Sequence, residues 1–118
     1  MKNRAQSICT LNGQNVYGVG VQCDTRCVHF HSPRDVVAVR FFCCNAFYAC
    51  RLCHDALADH PIALWPRQTA STEPVLLCGV CGTMMSLDEY LSAPSRCPIC
   101  AAAFNPGCLG HLHLYFQL

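Results

Sequence analysis

Cysteine and histidine side chains are concentrated between residues 27 and 60, in the segment CVHFHSPRDVVAVRFFCCNAFYACRLCHDALADH. This segment holds five cysteines and four histidines. Thiolate sulfur and imidazole nitrogen are the ligands that Zn²⁺ prefers in proteins, and a structural site uses four of them in a tetrahedron. The segment therefore predicts metal binding, and it supplies more ligands than one metal ion can use.

A disulfide scaffold is the alternative explanation for twelve cysteines in 118 residues. Three features argue against it. The beginning, MKNRAQSICTLNGQNVYG, has no apolar stretch typical of a secretory signal. The cysteines occur in three Cys-x-x-Cys pairs, and histidines stand beside them, whereas a disulfide framework has no use for histidine.

The second half of the chain contains the more specific metal pattern. Cys78-x-x-Cys81 and Cys97-x-x-Cys100 are separated by fifteen residues, a zinc-ribbon spacing. Each tight turn presents two sulfurs, and two facing turns complete a four-sulfur cage. A thiol-redox Cys-x-x-Cys would need a βαβ context, which this part of the sequence lacks.

The first half offers ten candidate ligands, of which two tetrahedral sites would use eight. They are Cys23, Cys27, His29, His31, Cys43, Cys44, Cys50, Cys53, His54 and His60.

Adjacency in the sequence predicts how these ligands divide. Cys50 and Cys53 form a two-sulfur turn and should share a metal, whereas the side chain of His54 leaves the backbone in another direction. Cys27 and His29 lie two residues apart and would project to the same side of an extended chain. We therefore expect Cys27, His29, Cys50 and Cys53 to form one site.

The remaining ligands then form a second site from Cys43, Cys44, His54 and His60. The two sites interleave, so that two zinc ions cross-brace one segment. Asp55 and Asp59 flank these histidines and are expected to orient them as hydrogen-bond acceptors or to face solvent.

Several candidate ligands remain outside the three sites. Cys9 and Cys23 are predicted to be free thiols. Cys108, His111 and His113, with His31 or Cys23, would be a weak and exchangeable fourth site. The alternative is a polar strand face with one partly buried cysteine.

The predicted fold is a small, metal-stabilised α+β structure. Residues 1–15 are expected to be a loose leader, 16–62 a two-zinc module, 63–76 a linker, and 77–118 a zinc-ribbon-like module with a C-terminal strand. Within these units the pattern predicts an edge strand at 16–21, a strand at 35–42, a short helix from 50 to 59 and a capped helix at 87–92. The alternation in HLHLYFQL predicts the last strand.

The order of ligands resembles the CHY-type zinc finger family. The shared features are Cys-x-His followed by an aromatic residue (Cys27, His29, Phe30), the Cys43-Cys44 pair, Tyr-x-Cys-x-x-Cys-His ending at His54, His60, and the two later Cys-x-x-Cys turns. Phe30 stands where the family has tyrosine. The resemblance implies three zinc ions per chain. It points to the small members without a RING domain, of which the fungal ones assist assembly of small Tim proteins in the mitochondrial intermembrane space.

The expected function is that of a non-enzymatic zinc module that presents a surface to a protein partner. The alternative is a zinc-handling or thiol-redox assembly factor. A ubiquitin ligase does not fit, because the cysteine after His29 is Cys43 and a RING needs a closer one. We expect a monomer or weak oligomer in the cytoplasm, or in the mitochondrial intermembrane space if the chain is fungal.

Charge argues against nucleic acid as the partner. Nine thiolates contribute −9 and three Zn²⁺ contribute +6, which takes the formal charge of +1 to about −2. Binding to nucleic acid needs a positive surface, and the eight Lys and Arg are scattered. No apolar run is long enough to span a membrane.

Overall fold

Six short strands form one mixed sheet in the computed structural model, which describes residues 6–93 and 95–117. They are β1 (Gln6–Leu11), β2 (Gln14–Val19), β3 (Val37–Phe41), β4 (Ala46–Tyr48), β5 (Leu76–Cys78) and β6 (Met84–Met85). The order across the sheet is β1-β2-β4-β3-β5-β6. β2 and β4 pair in parallel, and the other neighbours are antiparallel.

The helices are short. They are α1 (Arg51–Leu57), α2 (Arg67–Ala70), α3 (Leu87–Ser92) and a 3-10 helix at Pro106–Leu114. α3 confirms the predicted helix: the Ser86 hydroxyl accepts from the backbone N–H of Glu89, and the Glu89 carboxylate accepts from that of Ser86. Within the described ranges, every helix is too short to cross a bilayer.

The predicted strand at 35–42 is confirmed as β3, which lies in the interior of the sheet. Its alternation places Ala38 on one face and Val39 and Phe41 on the other, and all three are buried. Ala38 belongs to an apolar cluster with Cys27, Cys50 and Cys53, while Val39 and Phe41 belong to the cluster around Trp65 and Tyr90. The sheet therefore separates two small cores, and cysteine side chains pack in both, Cys78 and Cys97 in the one and Cys27, Cys50 and Cys53 in the other.

The prediction of a loose leader was wrong from residue 6 onward. β1 pairs with β2 over six register positions, through a turn in which Asn12 and Gly13 both have positive φ, 49° and 78°. Asn-Gly is the strongest short-range hairpin signal, because both turn residues need left-handed backbone. β1 therefore takes the edge. The strand predicted at 16–21 is confirmed over residues 16–19 as part of β2, and only its position at the edge of the sheet was wrong.

Residues 63–76, predicted as a linker, are folded. They contain α2, and Trp65 is buried with its indole N–H donating to the carbonyl of Arg40 at 2.6 Å. Two prolines and a Ser/Thr cluster are typical of a linker, but the buried ring of Trp65 anchors this segment to the sheet. The proposed boundary at residue 76 falls within β5, so both predicted modules contribute strands to the same sheet.

The predicted C-terminal strand was wrong over residues 111–114, which lie in the 3-10 helix. Among the described residues of this segment, Phe116 alone forms a bridge, with Trp65. The Tyr115 hydroxyl accepts from the backbone N–H of Arg51 at 3.2 Å, at the start of α1. The tail therefore contacts α1 and Trp65, and Leu112 and Phe116 pack in the same cluster as Tyr90 and Phe104.

Gly79 allows the first cysteine turn of the second half to pack against the loop that precedes Cys27. A Cβ at position 79 would lie 2.0 Å from the carbonyl oxygen of Asp24 and 2.8 Å from the hydroxyl of Thr25. We expect Gly79→Ala to lower the free energy of unfolding of the zinc-loaded chain by about 3 kcal/mol, since the backbone must move to make room for the methyl group. Urea denaturation of the variant and of the unaltered chain measures this difference in the free energy of unfolding.

Gly13→Ala is the matched control, because Gly13 has φ +78° but open space where a Cβ would stand. It should cost about 1 kcal/mol of backbone strain. Equal losses for the two variants would show that the contact between residues 79 and 24 does not matter for stability.

Candidate metal centres

The first group of ligands joins the loop after β2 to the beginning of α1. Cys50 is the N-cap of α1, and its sulfur accepts from the backbone N–H of Cys53. The Cys27 and Cys50 sulfurs are 3.6 Å apart, and the Nδ1 atom of His29 lies 3.4 Å from the sulfurs of both Cys50 and Cys53. The backbone N–H of Val19 donates to the Cys53 sulfur. A donor bound to sulfur stabilises a thiolate.

The second group joins the β3–β4 turn to the other side of α1. The Nε2 atom of His54 lies 3.2 Å from the Cys43 sulfur, 3.8 Å from the Cys44 sulfur and 3.2 Å from Nε2 of His60. Cys43 and Cys44, although adjacent, can both direct their sulfurs to His54 because the next residue, Asn45, turns the chain with φ 58°. His54 is completely buried, and its ring stacks on Phe41 with centroids 4.4 Å apart.

Carboxylates face the outer nitrogens of both histidines. Asp59 Oδ1 lies 3.1 Å from Nδ1 of His60, and Asp55 Oδ1 lies 3.9 Å from Nδ1 of His54. With Nε2 directed to a metal, Nδ1–H is free to donate to a carboxylate, which fixes the ring and raises its basicity. Asp59 is therefore within hydrogen-bond distance of His60, as the sequence predicts, whereas the 3.9 Å between Asp55 and His54 is too long for a hydrogen bond.

The third group brings the two later Cys-x-x-Cys turns together. The Cys78 and Cys100 sulfurs are 3.8 Å apart, as are those of Cys81 and Cys97. In each turn a backbone N–H two residues on donates to the first sulfur, from Val80 to Cys78 and from Ile99 to Cys97, both at 3.4 Å. β5 and β6 hold the first of these turns.

The ligand atoms within each group lie within 4.8 Å of one another, and the three groups coincide with the partition inferred from adjacency. Tetrahedral zinc with bonds of about 2.3 Å to sulfur and 2.05 Å to nitrogen places ligand atoms roughly 3.8 Å apart for two sulfurs, 3.6 Å for sulfur and nitrogen, and 3.3 Å for two nitrogens. The observed separations are close to these values. Cys53 and His54, adjacent in the chain, serve different groups.

The clustered cysteine thiols cannot all be ionised at once unless a cation balances their negative charge. The hydrogen bond between Cys27 and Cys50 lowers the pKa of Cys27 and raises the pKa of Cys50, so one proton stays with the pair. Burial raises the pKa of Cys78. A divalent ion replaces such protons when it binds. The donor sets and their spacing therefore fit three zinc ions.

The possible fourth site is not assembled among the residues that the structure describes. The 3-10 helix has three residues per turn, so His111 and His113 do not share a face as they would in a strand. His111 lines a cavity of about 100 Å³ with Leu112 and Tyr115. His31 is exposed in another loop, and the Cys108 side chain lies outside the described part.

The structure adds contacts that sequence reasoning missed. The backbone donors of Val19, Val80 and Ile99 and the ring of Phe41 all touch ligands. The donors in the cysteine turns follow from the Cys-x-x-Cys geometry. Val19 and Phe41 reach their ligands only through the register of the sheet, which no short-range pattern shows.

The cages differ in how far their sulfurs are exposed to solvent, and this exposure predicts how readily each cysteine reacts with an alkylating reagent. Cys81 and Cys100 are exposed, whereas all three cysteines of the first group are buried. Burial raises the pKa of Cys81, but hydrogen bonds from Thr83 outweigh it and lower the pKa of the metal-free thiol to about 7, which favours the thiolate form that zinc binds.

Under limiting alkylation of the zinc-loaded chain, we expect Cys23, Cys81 and Cys100 to be labelled before the cysteines of the first group. Peptide mapping by mass spectrometry measures the order. Protein unfolded in guanidinium with a chelator is the control, in which all cysteines should react. Early labelling of Cys50 or Cys53 would contradict the observed burial.

Comparison with known proteins agrees with this geometry. The CHY zinc finger family matches residues 27–90. Helper of Tim protein 13 from Saccharomyces cerevisiae is 44% identical over 104 residues, which cover 86% of this chain and 90% of the relative. The protein of the same name from Kluyveromyces lactis is 44% identical over 102 residues, covering 86% and 88%.

An uncharacterized protein of Schizosaccharomyces pombe is 44% identical over 112 residues, which cover 95% of this chain and 97% of that protein. No solved structure matches the chain. The family match, the relatives and the three Cys/His groups together show that the chain is a three-zinc member of the CHY zinc finger family.

Proposed function

We propose that the chain is a non-enzymatic zinc protein that binds a Tim protein and assists it, as the names of its yeast relatives describe for them. The observation that carries the proposal is the composition of the cages: each group supplies four protein ligands. Four protein ligands leave no position for water or substrate at tetrahedral zinc, which is the mark of a structural site. Closed cages argue against catalysis at the metal, and the names of the relatives then favour binding of a protein partner.

An apolar surface beside the third cage is available for that partner. Val80 and Ile99 occupy the same place in the two cysteine turns and are 57% and 69% exposed. Because the turns converge on one cage, the two side chains lie on the same end of the molecule. Exposed apolar side chains held on a rigid support are typical of protein interaction sites.

The test is binding of the zinc-loaded chain to a purified small Tim protein, measured by isothermal titration calorimetry. Ile99→Asp should weaken binding by at least about tenfold, as expected for an interface hot spot. The matched control is Val28→Asp, which changes an apolar side chain that is 56% exposed elsewhere. Absence of binding by the unaltered chain would overturn the proposal. Equal effects of the two variants would show that the surface formed by Val80 and Ile99 is not the binding site.

The same relatives support a place in the mitochondrial intermembrane space in preference to the cytoplasm. Expression of the chain in a S. cerevisiae strain that lacks its Helper of Tim protein 13 tests both points. Rescue of small Tim protein levels, with the chain protected from protease until the outer membrane is opened, is the expected result. Failure to rescue by a chain that does reach this compartment would count against the proposal.

Zinc handling is a second candidate function, favoured by the exposed sulfurs of Cys81 and Cys100. An incoming thiol reaches these two ligands without opening the core. The expected result is release of one zinc ion per chain to a moderate chelator, with the other two retained. Release of all three together would remove the basis for this role.

A further inference from the structure

Two cysteines outside the cages meet in the folded chain. Cys9 lies on β1 opposite Val16 and is 2% exposed, and Cys23 is exposed in the loop after β2. They are separated by thirteen residues, and sequence reasoning treats each as a free thiol. Neither cysteine belongs to a Cys-x-x-Cys turn, so no short-range sequence pattern links them.

Strand geometry brings this loop onto the face of β1 that carries Cys9. Ser7 and Cys9 lie two residues apart and share a face of the strand. The Ser7 hydroxyl accepts from the backbone N–H of Val21 at 2.7 Å, which places the start of the loop over that face. Cys23 follows Val21 by two residues along the same loop, and burial and a hydrogen bond with the Cys23 thiol both raise the pKa of Cys9.

The loop is held in this position by its own bonds and by its neighbours. The backbone N–H of Gln22 donates to the carbonyl of Arg26 at 2.7 Å, and that of Thr25 donates to the carbonyl of Gln22 at 2.9 Å. Thr25 is 1% exposed, and the backbone of Asp24 lies directly against Gly79. The two thiols are therefore held beside each other.

We propose that Cys9 and Cys23 form a reversible disulfide, with exposed Cys23 as the sulfur that an external disulfide reaches first and buried Cys9 as the sulfur that completes the bond. This assignment is independent of the proposed function. Burial raises the pKa of Cys9 to about 11, so its thiol stays protonated at neutral pH and does not start the exchange.

Glutathione disulfide is a sufficient oxidant for the reaction. The Cys23 thiolate attacks one of its sulfurs, the S–S bond of glutathione breaks, and one glutathione leaves as a thiolate that takes up a proton. Cys9 then loses its proton to solvent and attacks the Cys23 sulfur, which displaces the second glutathione. Two protein thiols are oxidised, one glutathione disulfide is reduced to two thiols, and every zinc ligand keeps its place.

The bond would tie the edge strand of the sheet to the loop that leads into the first cage. Cys27, the first ligand of that cage, follows Cys23 by four residues and packs in the same apolar cluster as Cys9. Oxidation at the pair is therefore expected to slow release of zinc from the first cage.

The test is incubation of the zinc-loaded full chain with glutathione disulfide, followed by non-reducing peptide mapping and native mass spectrometry. The expected product carries a Cys9–Cys23 cross-link, has lost two hydrogens and keeps three zinc ions. Cys9→Ala should instead keep one glutathione on Cys23, and Cys23→Ser should leave Cys9 unmodified.

Peptide mapping of the unaltered chain tests the Cys9–Cys23 disulfide even if a variant folds poorly. Glutathione that remains on Cys23 without a bond to Cys9 would overturn the proposal. Disulfides between zinc-ligating cysteines, together with loss of metal, would also overturn it, because oxidation would then destroy the zinc sites instead of acting on the Cys9–Cys23 pair.

Discussion

Chelation of zinc at neutral pH, with a reductant present, is expected to unfold the whole sheet. Six ligands are buried in the interior: Cys27, Cys50, Cys53, His54, Cys78 and Cys97. Structural zinc supplies on the order of 10–16 kcal/mol in finger peptides, which matches or exceeds the roughly 5–15 kcal/mol by which a whole domain is stable. Strands of two to six residues cannot replace that contribution.

Circular dichroism and the fluorescence of buried Trp65, followed during titration with a chelator, measure this loss. Return of both signals when zinc is restored is the control against aggregation or oxidation. A circular dichroism spectrum that stays near native after complete zinc removal would contradict the expected role of the metal.

Acid should have the same effect as chelation. Zinc binds deprotonated thiolates and neutral imidazoles, so protons compete with the metal as pH falls. Stability conferred by zinc is therefore present at neutral pH and is lost on acidification, below about pH 5. Zinc release and unfolding should occur together in one pH titration.

His54→Ala is expected to remove one zinc ion and to destabilise the chain strongly. The imidazole is completely buried, touches the other ligands of the second cage, and stacks on Phe41. Its loss opens the cage and leaves a cavity, and deletion of a large buried side chain alone costs about 3–5 kcal/mol. Native mass spectrometry should find two zinc ions per chain.

The double variant Cys53→Ala/His54→Ala tests whether adjacent residues bind different ions. We expect it to lose two zinc ions, and each single variant to lose one. A double variant that loses only one ion would show that both residues serve the same site. His31→Ala, which changes an exposed imidazole in the first half, is the control and should keep all three ions.

The metal chemistry was predictable from short-range pattern. Two Cys-x-x-Cys turns at ribbon spacing place four sulfurs together almost irrespective of the rest of the fold. Adjacency of Cys53 and His54 forces their side chains apart, so the division of the first-half ligands also follows from local geometry. The Ser86–Glu89 cap is local in the same sense, and α3 begins where it predicts.

The Asn12-Gly13 pair is a local signal for the hairpin of β1 and β2, but the residues around it show no strong apolar alternation and therefore also fit a loose leader. Other features have no local signature. Trp65 orders the supposed linker because its indole finds the Arg40 carbonyl across the fold. The alternation of residues 111–118 is typical of a strand, but a strand needs a neighbour, and Tyr115 and Phe116 instead close over α1 and Trp65.

The sequence by itself determined how the candidate ligands divide into three groups and that three zinc ions are held, because ligand type and spacing are local properties of the chain. Only the tertiary structure decided that one sheet unites both halves, that the first cage buries its sulfurs while the third exposes two, and that Cys9 meets Cys23. Those outcomes depend on strand register and on contacts between residues far apart in the chain, where many arrangements satisfy the same local pattern and packing selects one.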